Sequence, residues 1–165
     1  MPDAVDPVRA RLATLAPLIR DTATAYALPL DLLRGQIVAE SNADRRAYRY
    51  EPAYFDRYVR NNPKAKGYAY GPMAACSMGL LQILLETALE IGFDGLPWDL
   101  FDSATNLHWG GLYLRQLWDQ VGGDLADYPK VLAMYNGGPG AAKTRPFRNQ
   151  AYVDRVLRLA TRYTA

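Results

Sequence analysis

The chain has 165 residues, 50% hydrophobic and 22% charged, with 19 basic and 17 acidic side chains for a formal net charge of +2. One domain is expected at that length, large enough to bury about two thirds of its unfolded surface. So small a net charge excludes a dedicated nucleic-acid coat, and no apolar run is long enough for a transmembrane helix. A single cysteine, Cys76, excludes an internal disulfide and a cysteine metal cluster. A single histidine, His108, excludes a multi-histidine metal site and gives no support to a histidine-based triad. The 24 Ala and 22 Leu far outnumber the 8 Val and 4 Ile, so a mostly helical fold is expected.

Residues 1–6 are acidic and proline-bounded, without the basic segment and apolar stretch of an export signal, so none is expected there. Val8, Leu12, Leu15, Ile19 and Ala23 recur at spacings of three and four, which predicts a helix over 7–27, kinked or split at Pro17. Pro29 and Asp31 open a second helix through Leu33, Ile37 and Glu40. Residues 42–52 read as loop or irregular hairpin, residues 52–60 as a short aromatic helix, and residues 61–76 as a long loop rich in Asn, Pro, Lys, Gly and Tyr. Ser77 then caps a predicted helix over 78–91, apolar all round and so placed at the centre of the fold, closed by Gly92. Three more helices follow: 103–121, capped by Asp102 or Ser103; one opened by Pro129 and ended by Asn136-Gly137-Gly138; and 149–163. Gly110-Gly111 inside the first of these predicts a close approach by another backbone.

Of the four glutamates, Glu40, Glu51, Glu86 and Glu90, the first is the unusual one. Glu40 follows Leu33 by seven residues and Ile37 by three, so it lies on their apolar face. Desolvation there raises a carboxyl pKa, the condition a general acid needs near neutral pH. A structural glutamate paired with an arginine fits the same spacing equally well. Gln82 is the one amide in an apolar stretch, just after Met78 and Gly79, and reads either as a ligand contact or as a satisfied core side chain. Residues 45–66 carry seven bases (Arg45, Arg46, Arg49, Arg57, Arg60, Lys64, Lys66) among Tyr48, Tyr50, Tyr54, Phe55 and Tyr58, a composition that suits stacking on nucleobases, stacking on sugar rings beside an anionic polymer, or a solvated surface with a local aromatic cluster. Gly138–Thr144 imitates a phosphate loop, but Ala142 stands where that motif needs glycine.

Taken in order, Glu40-Ser41, Ser77-Met78-Gly79-Leu80-Leu81-Gln82, Ala133-Met134-Tyr135-Asn136-Gly137-Gly138 and Tyr152-Val153 resemble the lytic transglycosylases of the lysozyme-like superfamily. The resemblance runs from about Asp31 to Val156. The stretch from Ala47 to Phe55 is similar to the variant of phage and prophage members. Two departures stand out: Met134 separates Ala133 from Tyr135, and Arg148 occupies the place of a glutamate four residues before Tyr152.

The resemblance implies an all-α, lysozyme-like fold with a small irregular hairpin, in a single domain over 1–165 whose catalytic core is about 29–163. It implies cleavage of the peptidoglycan glycan between N-acetylmuramic acid and N-acetylglucosamine, with a 1,6-anhydro end as product. Glu40 would be the catalytic acid and then base. Ser41 and Tyr152 would orient the site, Gln82, Tyr135 and Asn136 would hold the sugar, and Ser77, Met78 and Gly79 would line the cleft. No cofactor, metal or nucleic acid is implied; the partner is the glycan strand, the place of action the cell wall, and a monomer is favoured. Two other readings stay open. One is a goose-type muramidase that hydrolyses the same bond, with Glu51 as the second acid. The other is a non-catalytic peptidoglycan-binding virion module.

Overall fold

The computed structural model of the chain describes residues 6–164. The expected absence of an export signal falls mostly on residues 1–5, which lie outside them. Two compact units emerge: the chain up to Ala39 together with the chain from Gly111 onward, and Glu40–Gly110.

The first unit is helical. Helix α1, Pro7–Ala25, is capped by Asp6, whose carboxylate accepts from the Val8 and Arg9 N–H groups. Pro17 lies inside α1 and does not split it. Helix α2, Leu30–Ser41, begins as expected from Pro29 and Asp31, and its residues before Glu40 belong to this unit. Helix α5, Ser103–Gln120, contributes its part from Gly111 onward. Helices α6, Tyr128–Gly137, and α7, Gln150–Arg162, complete the unit. Ile19, Leu33, Leu114, Tyr128, Val131, Leu132, Val153 and Val156 are buried. The Trp118 and Tyr128 rings meet edge to face at 5.1 Å. Gly35 in α2 is a close-approach glycine: a Cβ there would lie 2.6 Å from the Ala160 nitrogen and 2.7 Å from the Val156 oxygen of α7.

The second unit contains a three-stranded antiparallel sheet, β1 (Tyr48–Tyr50), β2 (Cys76–Met78) and β3 (Ile83–Leu84), in that spatial order. Tyr48 faces Met78, Arg49 faces Ser77 and Tyr50 faces Cys76; Ser77 also pairs with Leu84. Between β1 and β2 run helix α3, Pro52–Tyr54, a π-helical turn at Phe55–Val59 and a 3-10 segment at Tyr68–Ala75. Helix α4, Leu85–Glu90, follows β3, and Gly92, at φ +111, ends it as expected. Asp102, not Ser103, caps α5, accepting from the Thr105 N–H and hydroxyl.

The expected helix over 78–91 is corrected in its first half. Ser77 is a strand residue, not a cap, and Met78 ends β2. Gly79 and Gln82 have left-handed φ values of +74 and +48, which close a hairpin and interrupt any helix. A short hairpin buried on both faces is apolar throughout, and periodicity cannot separate that from a buried helix. Its central burial is nonetheless as expected: Leu80, Leu81, Ile83 and Leu85 are at most 1% exposed. The Gly110-Gly111 expectation also needs correction, because side chains rather than backbone fill the space. Leu81 packs on Gly110, and Thr22 and Tyr26 on Gly111.

Gly35→Ala must push α7 backbone aside, a cost of about 1–3 kcal/mol for overpacking. A lowered thermal midpoint is expected. Gly140→Ala, where a Cβ meets nothing within 4 Å, is the control that leaves the midpoint in place.

Candidate active site

Glu40 is the penultimate residue of α2, and its side chain is half-buried. The helix stops just beyond it because Asn42 and Ala43 take left-handed φ values of +52 and +58. Ser41, 7% exposed, donates its hydroxyl to the Leu80 carbonyl at 2.8 Å. That bond ties the end of α2 to the Gly79–Gln82 turn. The turn is also tied to the loop after α2: the Gly79 N–H donates to the Ala47 carbonyl at 2.8 Å. The Gln82 amide nitrogen donates to the same Ala47 carbonyl at 2.8 Å and to the Gly79 carbonyl at 3.0 Å.

Sequence reasoning overlooked the residue that organises this turn. Asn106, in the first turn of α5 and fully buried, accepts from the Leu81 N–H at 2.8 Å. Its amide nitrogen donates to the Met78 and Leu100 carbonyls, each at 2.8 Å. One side chain thus satisfies three buried backbone groups around the hairpin. Gly79 has no room for a side chain, since a Cβ would lie 2.5 Å from the Leu100 oxygen. The available signal was a lone amide three residues from Ser103, too common at helix starts to stand out.

Glu51 is partly exposed and held by Arg49, whose Nε donates to its Oε1 at 2.6 Å. Its backbone N–H donates to the Ala75 carbonyl, which fixes the start of α3 beside β2. Burial, and then the charge of Glu51, push the Cys76 thiol up, which favours its protonated form. Among the described residues no group of three or more His, Cys, Asp or Glu could hold a metal ion.

The remaining expected site residues belong to the other unit. The Tyr135 ring lies 5.4 Å from that of Tyr113. Asn136 accepts from the Asn149 amide at 2.8 Å, and the same amide nitrogen donates to the Ala133 carbonyl at 3.1 Å. Tyr152, in the first turn of α7, donates its N–H to the Asn149 carbonyl. Asn149 therefore joins the end of α6, which carries Tyr135 and Asn136, to the start of α7, which carries Tyr152. Arg148, which replaces the glutamate of the resembled pattern, donates to the Gly137 carbonyl at 2.6 Å. It supplies a cation at the C-terminus of α6, where the helix dipole favours one.

A sequence model of the transglycosylase SLT domain matches residues 17–155. The chain belongs to this family. No curated protein and no solved structure matches it. The family fits the mostly helical, lysozyme-like fold with its small sheet. At family level the activity is lytic transglycosylase-type cleavage of peptidoglycan, a cell-wall polymer. No helix of the described residues is long and apolar enough to cross a membrane.

Asn106→Ala strands one N–H and two carbonyls in the interior. Each unsatisfied group costs about 1–3 kcal/mol. Denaturant unfolding should register a loss of about 3 kcal/mol or more, and peptidoglycan cleavage should fall with it. Unchanged unfolding would show that the turn does not depend on Asn106.

Proposed function

We propose that the protein is a lytic transglycosylase that cuts the β-1,4 bond between N-acetylmuramic acid and N-acetylglucosamine, with residues 29–163 acting as one catalytic domain. The observation that supports this reading, within a chain of the SLT family, is the Ser41–Leu80 hydrogen bond, which ties the residue after Glu40 to the Gly79–Gln82 turn. Glu40, protonated, gives its proton to the bridging oxygen as the C1–O bond breaks. The muramoyl C6 hydroxyl oxygen attacks C1, and the Glu40 carboxylate takes the hydroxyl proton. The product is a 1,6-anhydro end, no water is consumed, and Glu40 is returned protonated.

One carboxyl serves both halves, whereas glycoside hydrolases typically use two. Ser41 acts as a positioning residue through its bond to Leu80. Gln82 spends its amide nitrogen on Ala47 and Gly79, which leaves its oxygen for an acetamido N–H of the sugar. Ser77, Met78 and Gly79 shape the cleft wall; Tyr135 and Asn136 bind sugar, and Tyr152 orients it. The bases and exposed tyrosines of residues 45–66 meet the anionic polymer. A phage or prophage origin accords with the stretch from Ala47 to Phe55, and a monomer suffices for this chemistry. Arg49 engages only one Glu51 oxygen, so Glu51 stays the candidate second acid of the hydrolytic alternative and its substitution separates the two readings.

Glu40→Gln keeps size and hydrogen bonding but removes the transferable proton. General acid–base help is worth roughly 10²–10⁴-fold, and a residue doing both jobs should lose the upper part of that range. Mass spectrometry of digested sacculi should find anhydro ends with the parent and almost no product with the variant. Glu51→Gln should keep activity within about threefold, as loss of an exposed ion pair does. Clearing by folded Glu40→Gln within about tenfold of the parent removes Glu40 from the mechanism. Reducing ends, together with an inactive Glu51→Gln, would make the enzyme a muramidase.

A further inference from the structure

A separate pocket of about 280 Å³ lies in the Glu40–Gly110 unit, lined by Tyr54, Tyr58, Asn62, Lys64, Lys66 and Glu86, with Ala65 and Glu90. None of Glu40, Ser41, Met78, Gly79 or Gln82 lines it. Its floor is built by Glu86, which is 2% exposed. The Glu86 carboxylate accepts from the Lys66 N–H at 2.7 Å and the Gly67 N–H at 2.6 Å, one on each oxygen. Gly67 must be glycine for this, because a Cβ would lie 2.5 Å from Glu86 Oε2 and 2.6 Å from the Ala74 Cβ. Asn62 shapes the loop from the other side, donating to the Tyr58 carbonyl and accepting from the Lys64 N–H. The Tyr54 and Tyr58 rings stand 4.8 Å apart on one wall.

The charges that remain for a ligand are of both signs. Glu86 has spent its oxygens on backbone. Glu90 makes no hydrogen bond or ion pair among the described residues, and desolvation followed by the charge of Glu86 raises its carboxyl above the ordinary value. A cation beside Glu90 would oppose both effects by favouring the charged carboxylate. The Lys64 and Lys66 side chains are exposed and form no ion pair among the described residues. Ligand pockets for drug-sized molecules run from about 300 to 1,000 Å³, so this one takes a group the size of one amino acid rather than a disaccharide.

We propose that this pocket binds an α-amino-carboxylate group, the free zwitterionic end of a diamino acid in a peptidoglycan stem peptide. The ammonium goes to Glu90, the carboxylate to Lys64 and Lys66, and the aliphatic stem lies along Tyr54 and Tyr58. The choice of a stem peptide rests on the transglycosylase reading; the zwitterion rests on the pocket alone. The enzyme would then hold the glycan by its sugars and by its peptide, and would favour strands whose stems end in a free diamino-acid centre.

The test titrates the full chain, followed by backbone amide NMR, with L-Ala-γ-D-Glu-meso-diaminopimelate. The L-lysine tripeptide, which lacks the carboxylate, and free diaminopimelate are the comparison ligands. The diaminopimelate tripeptide should shift the Lys66 and Gly67 amides and bind at least tenfold more tightly than the lysine tripeptide. Glu90→Gln and Lys64→Ala, both at exposed positions, should each weaken it tenfold or more. No binding, binding that leaves residues 61–67 unmoved, or binding undiminished in Glu90→Gln overturns the proposal. Tighter binding of free diaminopimelate than of the tripeptide overturns the stem assignment. Anhydro-end formation from sacculi is read separately. Lytic activity without tripeptide binding defeats only the pocket, and tripeptide binding without lytic activity defeats only the transglycosylase.

Discussion

The Met78–Gln82 hairpin turn is buried, and its backbone cannot satisfy itself. A buried N–H or carbonyl without a partner costs more than a typical hydrogen bond gains, so side chains must supply partners. Asn106 supplies three bonds, Ser41 one and Gln82 two. Each of these comes from a different stretch of chain: the start of α5, the end of α2 and the turn itself. The turn thereby becomes the point against which the Glu40-bearing helix end is set. Gly79 admits this arrangement because its φ is +74 and a Cβ would collide with Asn106 and the Leu100 carbonyl.

The same economy of polar groups recurs elsewhere. Glu86 is a buried acid whose charge is met by two successive N–H groups rather than by a lysine or arginine. Bonds of that kind are charge-assisted and among the stronger ones available. Asn149 links the end of α6 to the start of α7 through Asn136 and Ala133. Arg148 closes the C-terminus of α6 at Gly137, placing a cation where the helix dipole favours one. In each case a short polar side chain holds a loop that carries no regular backbone ladder.

Helices α1, α2, α5, α6 and α7 were legible because long amphipathic repeats, proline starts and glycine stops act locally. The hairpin was not. Leu80, Leu81 and Ile83 satisfy a helical pattern and a buried-strand pattern equally, and the backbone choice rests on Arg49 and Ser77 pairing across sequence distance. Ser77 looks like a helix cap for the same reason. Glu86 carried no sequence signal at all, since an acid in the first turn of a helix is ordinarily a solvated, dipole-favoured residue.

By itself the sequence determined the helical class, the order of the four motif segments and the place of Glu40 on the helix opened by Pro29 and Asp31. Those follow from composition, period and the spacing of residue types along one chain. Tertiary structure alone decided that residues 76–84 form a strand–turn–strand hairpin, that Asn106 organises the turn, that Ser41 bonds to Leu80, that Arg49 engages Glu51, and that Glu86 and Lys66 shape a pocket. Each of these is a hydrogen bond or ion pair set by the path of the folded chain, often between residues far apart in sequence, and a sequence period carries no information about which distant donor reaches which acceptor.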